Sequence, residues 1–292
     1  MANDEVTLGA FLRSRRDALT PAQAGITPMP GARRVPGLRK EELAFLVGLS
    51  TDHYSRIEQG RQSSLSEDVI GSLARALQLD DVETSHLRDL AVPAGRRRQP
   101  AERPARPEPG MLRLMSQLDH VPALLLGRRS EVLASNALLR EVLGWPAEPG
   151  QSLVRWLFLE PEPRTRLSNW AELAASVVAS LRFEVGRHPD DDELIALVTQ
   201  LRESEPLVGQ WWDDHRVTFR TSVTKHLEHP VAGPLVFAIE SVVGPHDPDQ
   251  RLIVYTVEPD SPTARVMGLL TSWAHGAAAS ESSHAISPEA GP

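Results

Sequence analysis

The chain has 292 residues and 41% hydrophobic side chains, enough for two domains with packed cores. It has no cysteine, which excludes disulfides, thiolate metal sites and a cysteine nucleophile. The net charge of −8 is unevenly spread: residues 1–110 carry 16 basic and 15 acidic side chains, residues 111–292 carry 15 and 24.

No apolar run approaches the ~20 residues of a membrane span. The start, Met-Ala-Asn-Asp-Glu-Val, lacks the basic-then-apolar order of a signal peptide. A soluble, cytoplasmic protein without membrane association is expected. Only Lys40 and Lys225 are lysines, so every other basic residue is arginine.

The N-terminal part reads as helical throughout. Thr7 caps a helix with Leu8, Phe11, Leu12 and Leu19 at helical spacing, and a Pro/Gly-rich loop follows from Pro21 to Gly37. The spacing then predicts helices over Arg39–Val47, Ser50–Gln59 and Ser66–Leu77. A fifth, Val82–Val92, buries Val82, Leu87 and Leu90. Five short helices make a small all-α domain over residues 1–93.

Residues 94–110, AGRRRQPAERPARPEPG, hold no large apolar side chain and read as a solvated linker. Beyond it, Val121–Leu126 and Glu131–Ala134 read as a strand pair turned at Gly127. Asn169–Val185 puts Trp170, Leu173, Ala174, Val177, Val178 and Leu181 on one helical stripe, and Asp191–Glu203 repeats the pattern. Thr218–His226, Leu235–Val243 and Leu252–Val257 read as strands, and Ser261 starts a last helix. This predicts an α+β domain over residues 111–275, an antiparallel sheet with helices on one face. Residues 276–292, rich in Ala, Ser, Gly and Pro, are expected to be a disordered tail.

The segment Lys40–Arg61 carries the sharpest pattern. Ala44 is the small residue that two steeply crossing helices need at their contact, and Gly48 supplies a turn residue tolerant of positive φ. Leu43, Val47, Leu49, Tyr54 and Ile57 close the angle from inside, Ser50 caps the second helix, and Gly60 ends it. Thr51, Asp52, His53, Ser55 and Arg56 face outward. This is the helix-turn-helix plan, with its second helix suited to the major groove of double-stranded DNA. The competing reading is a helical hairpin that docks a partner protein instead.

Residues 7–92 resemble the Cro/C1-type (XRE) helix-turn-helix domain of bacterial and phage regulators, a five-helix, lambda-repressor-like fold. The string Arg33-Arg34-Val35-Pro36-Gly37-Leu38-Arg39-Lys40-Glu41-Glu42-Leu43 is similar to a narrower group, the MmyB-like regulators of actinobacteria. So are Leu153–Leu159, Gly186–Asp191, Thr224-Lys225-His226 with His229-Pro230-Val231, and Asp247–Tyr255. The resemblance implies a PAS-like second domain, a fatty-acid-like ligand, no required cofactor and a sequence-specific transcriptional regulator. It points to Thr51, Asp52 and Arg56 as base-facing, with Ser50 and Lys40 nearer phosphates. Arg56 is the best reader, because its planar fork can take guanine O6 and N7 together. It can equally pair with Asp52 one turn away.

His53, Ser55 and Arg61 complete the expected DNA-binding set. Arg39, with Arg33 and Arg34, either tracks the DNA backbone or is solubilising charge, and Arg96, Arg97, Arg98, Arg103 and Arg106 carry the same two readings. One recognition helix reads few base pairs, so a homodimer on a near-palindromic operator is expected.

For the ligand, the expected apolar lining is Trp156, Trp170, Val177, Trp211, Trp212, Phe237 and Tyr255. Arg155, Arg187 and His215 are the candidate carboxylate donors, with His188 and Arg220 beside them. The sequence has Ser135 in Leu133-Ala134-Ser135-Asn136 and Glu240 in Ile239-Glu240-Ser241, two departures from the family pattern.

No catalytic constellation is expected: there is no G-x-S-x-G elbow, Walker loop or dinucleotide fingerprint. No metal site is expected either. His226 and Glu228 share a strand face from which His229 is separated, and Asp190–Glu193 is explained by a helix N-terminus.

Overall fold

The structure is a computed structural model that describes residues 6–29, 35–62, 64–91, 106–214, 222–244 and 246–284. Arg33, Arg34, Arg96, Arg97, Arg98, Arg103, His215 and Arg220 lie outside the described residues. The chain divides into two compact units: Met1–Ala101 with Val178–Phe219, and Glu102–Val177 with Arg220–Pro292.

The first unit contains α1 (Leu8–Ala18), α2 (Lys40–Val47), α3 (Thr51–Glu58), α4 (Glu67–Ala76) and α5 (Asp81–Ala91). Their starts follow local chemistry. Thr7, Ser50 and Ser66 accept backbone N–H bonds from Ala10, His53 and Val69, satisfying amides that have no partner inside the helix. Asp80 and Glu83 exchange the same kind of bond at α5, with N–H to oxygen distances of 2.8 and 3.1 Å. The apolar stripes meet in one core of Phe11, Leu12, Leu43, Tyr54, Ile57, Leu73 and Leu87.

The second half of α10 (Trp170–Arg187), α11 (Asp192–Ser204) and α12 (Pro206–Asp213) also belong to this unit. Buried His86 lies between Phe11 and Phe183, with ring centroids 5.1 and 5.8 Å away. By contact Val178–Phe219 groups with this unit, while sequence reading places it in the second domain. A helical stripe shows that a face is buried, not which surface buries it. Asp191 caps α11 by accepting the Leu194 N–H at 3.0 Å, which accounts for one residue of the acidic run.

The second unit is the PAS-like α+β domain. Strands β1 (Ala123–Leu126), β2 (Val132–Ser135), β3 (Ser222–His229), β4 (Gly233–Val243) and β5 (Arg251–Thr256) form one antiparallel sheet in the order β2-β1-β5-β4-β3. Leu252 and Val254 of β5 pack with Ala123, Leu125 and Met111, the last from α6 (Pro109–Ser116). The intervening Ile253 and Tyr255 point the other way, toward α8 (Leu153–Leu159) and the first half of α10.

Helices therefore cover both faces, where sequence reading expects one. The miss lies in α6, whose first residues fall inside the proline-rich segment read as linker. Gln250 ties that segment down, donating to the Arg106 carbonyl at 2.8 Å while accepting the Glu108 N–H at 2.8 Å. The short α7 (Ala137–Leu143), α8, α9 (Glu162–Arg166) and α12 are also absent from the sequence reading, being too short for a resolvable period. The last helix, α13 (Pro262–His284), runs past Gly276, where a disordered tail is expected. Its continuation includes Ala277, Ala278 and Ala279, the strongest helix former three times over. Among the described residues no helix is long and apolar enough to cross a membrane.

Candidate functional site

The α2–α3 corner is built as its sequence requires. Ala44 is buried at the crossing, and Gly48 adopts φ 75°. The Gly48 N–H bonds the Phe45 carbonyl and the Leu49 N–H bonds the Ala44 carbonyl at 2.9 Å, closing α2 in a left-handed cap. Gly60, at φ 72°, closes α3 in the same way.

A buried charge cluster fixes the far end of α3. The Glu58 carboxylate, whose side chain is 1% exposed, takes Arg16 Nε at 3.0 Å, Lys40 Nζ at 3.1 Å and Arg13 Nε at 3.5 Å. Arg16 also donates to the Leu38 carbonyl at 2.7 Å. Burial alone pushes the Glu58 carboxyl up. The contacts from Arg16 and Lys40 and the Arg16 charge outweigh it and hold the group below its ordinary value. The helices approach closely here: a Cβ on Gly9 of α1 would sit 2.1 Å from the Glu58 carbonyl oxygen.

With that end anchored, Tyr54 and Ile57 face the core while Thr51, Asp52 and Arg56 stand exposed side by side. No ion pair joins Asp52 to Arg56 among the described residues. Ser55 and His53 are half-buried, Arg61 is exposed, and Ser50 is engaged as the cap. Arg39 precedes α2 and pairs with Glu41 at 3.2 Å. The Lys40 ammonium is committed to Glu58, so the phosphate role expected of it competes with a structural one.

The second unit holds a cavity of about 30 Å³, room for a water-sized occupant. Leu153, Trp156 and Leu157 of α8 and Leu173, Ser176 and Val177 of α10 form one wall. The sheet residues Val223, Lys225, Ile239, Ile253 and Tyr255 form the other. Trp156 is held by stacking on Trp145 at 4.9 Å between centroids. Phe237 packs edge-on against Tyr255 at 5.8 Å. Lys225 is 7% exposed, and its Nζ donates to the Tyr255 hydroxyl at 2.8 Å.

Of the residues expected to bind ligand, Trp156, Val177 and Tyr255 line this cavity and Phe237 supports it from beside. Trp170 is buried elsewhere, donating its Nε1–H to the Leu157 carbonyl at 3.0 Å beneath the Arg164 guanidinium. Arg155 is exposed. Arg187, His188, Trp211 and Trp212 belong to the first unit: Arg187 lies 3.7 Å from Glu184, and the Arg182 guanidinium covers the Trp212 ring at 4.4 Å.

Sequence reasoning missed Lys225. The signal was present: it is one of two lysines in an arginine-rich chain, and strand alternation puts it on the inward face with Leu227. On the same strand His226 and Glu228 face outward. His229 turns inward, its Nδ1 accepting the Val231 and Ala232 N–H groups.

The all-helical unit with its capped α2–α3 corner defines a helix-turn-helix protein, and residues 7–87 match a helix-turn-helix domain family. Residues 107–270, more than half of the chain, match the MmyB-like transcription regulator ligand binding domain, and the chain belongs to that family. Comparison with curated proteins gives no match. The protein is thus a DNA-binding transcription regulator with a ligand-binding domain.

Proposed function

We propose that the protein reads a specific operator through α3 and responds to an acyl compound held in the second unit. The observation that carries the first half is the exposed row Thr51, Asp52 and Arg56 on a helix whose other face is locked into the core. Arg56 takes a guanine edge, Asp52 accepts from cytosine N4 or orients Arg56, and the backbone N–H groups at the start of α3 suit phosphate. Ser55, His53, Arg61 and Arg39 flank that contact.

A homodimer supplies two such helices to a two-fold operator, with half-sites about 34–36 Å apart or a multiple of that. The protein works in the cytoplasm, where its DNA is, needs no cofactor and catalyses no reaction.

The ligand half rests on the hydrocarbon lining of the cavity. A fatty-acid-like chain is admitted only when the side chains of α8 and α10 move away from the sheet, since a water-sized space is far too small for it. Such movement couples ligand to the protein's conformational equilibrium.

Selection of a randomised duplex library with the purified protein, followed by titration over a salt series, tests the DNA half. Enrichment of a two-fold symmetric site and steep weakening with salt are expected, because phosphate contacts release counterions. A flat salt dependence or no enrichment contradicts it and favours a protein partner. Native mass spectrometry with organic extraction tests the ligand half, which an empty, well-folded second unit opposes.

A further inference from the structure

We propose that Arg13 of α1 and Lys40 of α2 form a two-cation clamp for one phosphate of the DNA backbone, presented by the buried carboxylate of Glu58. This rests on the helix-turn-helix corner being the DNA-binding part of the chain. The two cations share one Glu58 oxygen: Lys40 Nζ lies 3.1 Å and Arg13 Nε 3.5 Å from Oε1. The carboxylate is buried, whereas the Lys40 side chain is half-buried and the Arg13 side chain is exposed. An ammonium has three N–H donors and a guanidinium five, so each keeps donors after meeting Glu58. One buried acceptor thus gathers cations from two helices and leaves them open to a second anion.

The cluster carries more positive charge than it neutralises. Glu58 also takes Arg16, whose other carboxylate is Asp17 at 2.7 Å, so two acids meet three cations. Among the described residues Arg13 and Lys40 have no other acidic partner, and the neighbouring Glu41 is paired with Arg39. Folding does not account for Arg13, because an exposed pair at 3.5 Å contributes little to stability. Cations held on one oxygen repel each other, and an anion that touches both relieves that repulsion. In the helix-turn-helix plan the helix before the recognition helix crosses the DNA backbone, and Lys40 is the first residue of that helix. The positive end of its dipole adds to the same field. A phosphodiester is the anion that stands there, and such a contact positions the protein without reading sequence.

The test titrates the full chain with the selected duplex and with an unrelated one, by fluorescence anisotropy over a salt series. Arg13→Gln is expected to weaken both duplexes about five- to tenfold at about 0.1 M salt and to lower the salt slope by about 1, with the melting temperature unchanged. Arg13→Lys, which keeps the charge, is expected to retain the slope. Lys40→Gln is expected to give the same two losses, and it decides the question if Arg13→Gln does not fold. Arg88→Gln removes an exposed arginine that α5 pairs with Glu67, and is expected to change neither duplex. An unchanged affinity and slope in Arg13→Gln, or an equal effect of Arg88→Gln, overturns the clamp. A selected-duplex loss in Arg56→Ala then leaves the reading of α3 standing. A uniform loss in Arg13→Gln beside no effect of Arg56→Ala supports the clamp and removes base reading by Arg56. Binding of neither duplex overturns both.

Discussion

Replacing Glu58 by Gln removes a charge and little else, so its effect measures what holds the recognition helix in place. The carboxylate is buried and meets three cations, but these are unequal: Arg13 is 65% exposed, Lys40 is 32% exposed and only Arg16, at 4%, is buried. The exposed partners contribute little. The cost therefore comes from stranding Arg16, and breaking a buried pair on one side costs about 3–5 kcal/mol. Arg16 keeps Leu38 and Asp17 at 2.7 Å each, which sets the expectation at the low end, about 3 kcal/mol.

Urea denaturation followed by circular dichroism checks this at pH 7. The same substitution should flatten the acid limb. Glu58 titrates below its ordinary 4.5 in the folded protein, so its stabilisation is complete above that value and is lost as pH falls through the folded one. A loss under about 1 kcal/mol at pH 7, or an unchanged acid limb, refutes the reasoning.

Three other substitutions probe separate parts. Gly9→Ala forces the backbones of α1 and α3 apart and is expected to cost about 1–3 kcal/mol or more. Gly209→Ala in α12, where an added Cβ meets nothing within 4 Å, is expected to be neutral or stabilising by up to about 1 kcal/mol in the same denaturation assay. His229 is held below its ordinary 6.5 chiefly by burial, so the unfolded chain takes up the proton first. The protein should therefore lose stability as pH falls below 6.5, and His229→Gln should reduce that loss in melting curves between pH 7 and pH 5.

The helix-turn-helix corner was legible because each of its requirements is local: Gly48 for positive φ, Ser50 for a cap, Ala44 for a close crossing. The strands themselves, and the antiparallel class of their sheet, were legible from β-branched alternation broken by Pro and Gly. What escaped depends on distant parts of the chain. The burial and pairing of Glu58 depend on α1, which brings Arg16 and Gly9 to it. The same holds for Lys225, whose burial depends on β5 setting Tyr255 beside it and on α8 and α10 closing the space. Arg155, Arg187, Trp170, Trp211 and Trp212, expected at the ligand, lie away from the cavity for the opposite reason. Their residue types fit an acid group and an apolar chain, but the cavity walls are set by strand register and helix packing, and both lie beyond spacing along the sequence.

The reading of α3 as the DNA-contacting element is tested most directly by fluorescence anisotropy on the selected duplex, comparing the unsubstituted protein with Arg56→Ala. Arg56 is exposed and outside the core, so the melting temperature should not change. Affinity for the selected duplex should fall by about 1–3 kcal/mol, with little change for an unrelated duplex. Unchanged affinity for the selected duplex, with the variant fully folded, would contradict it.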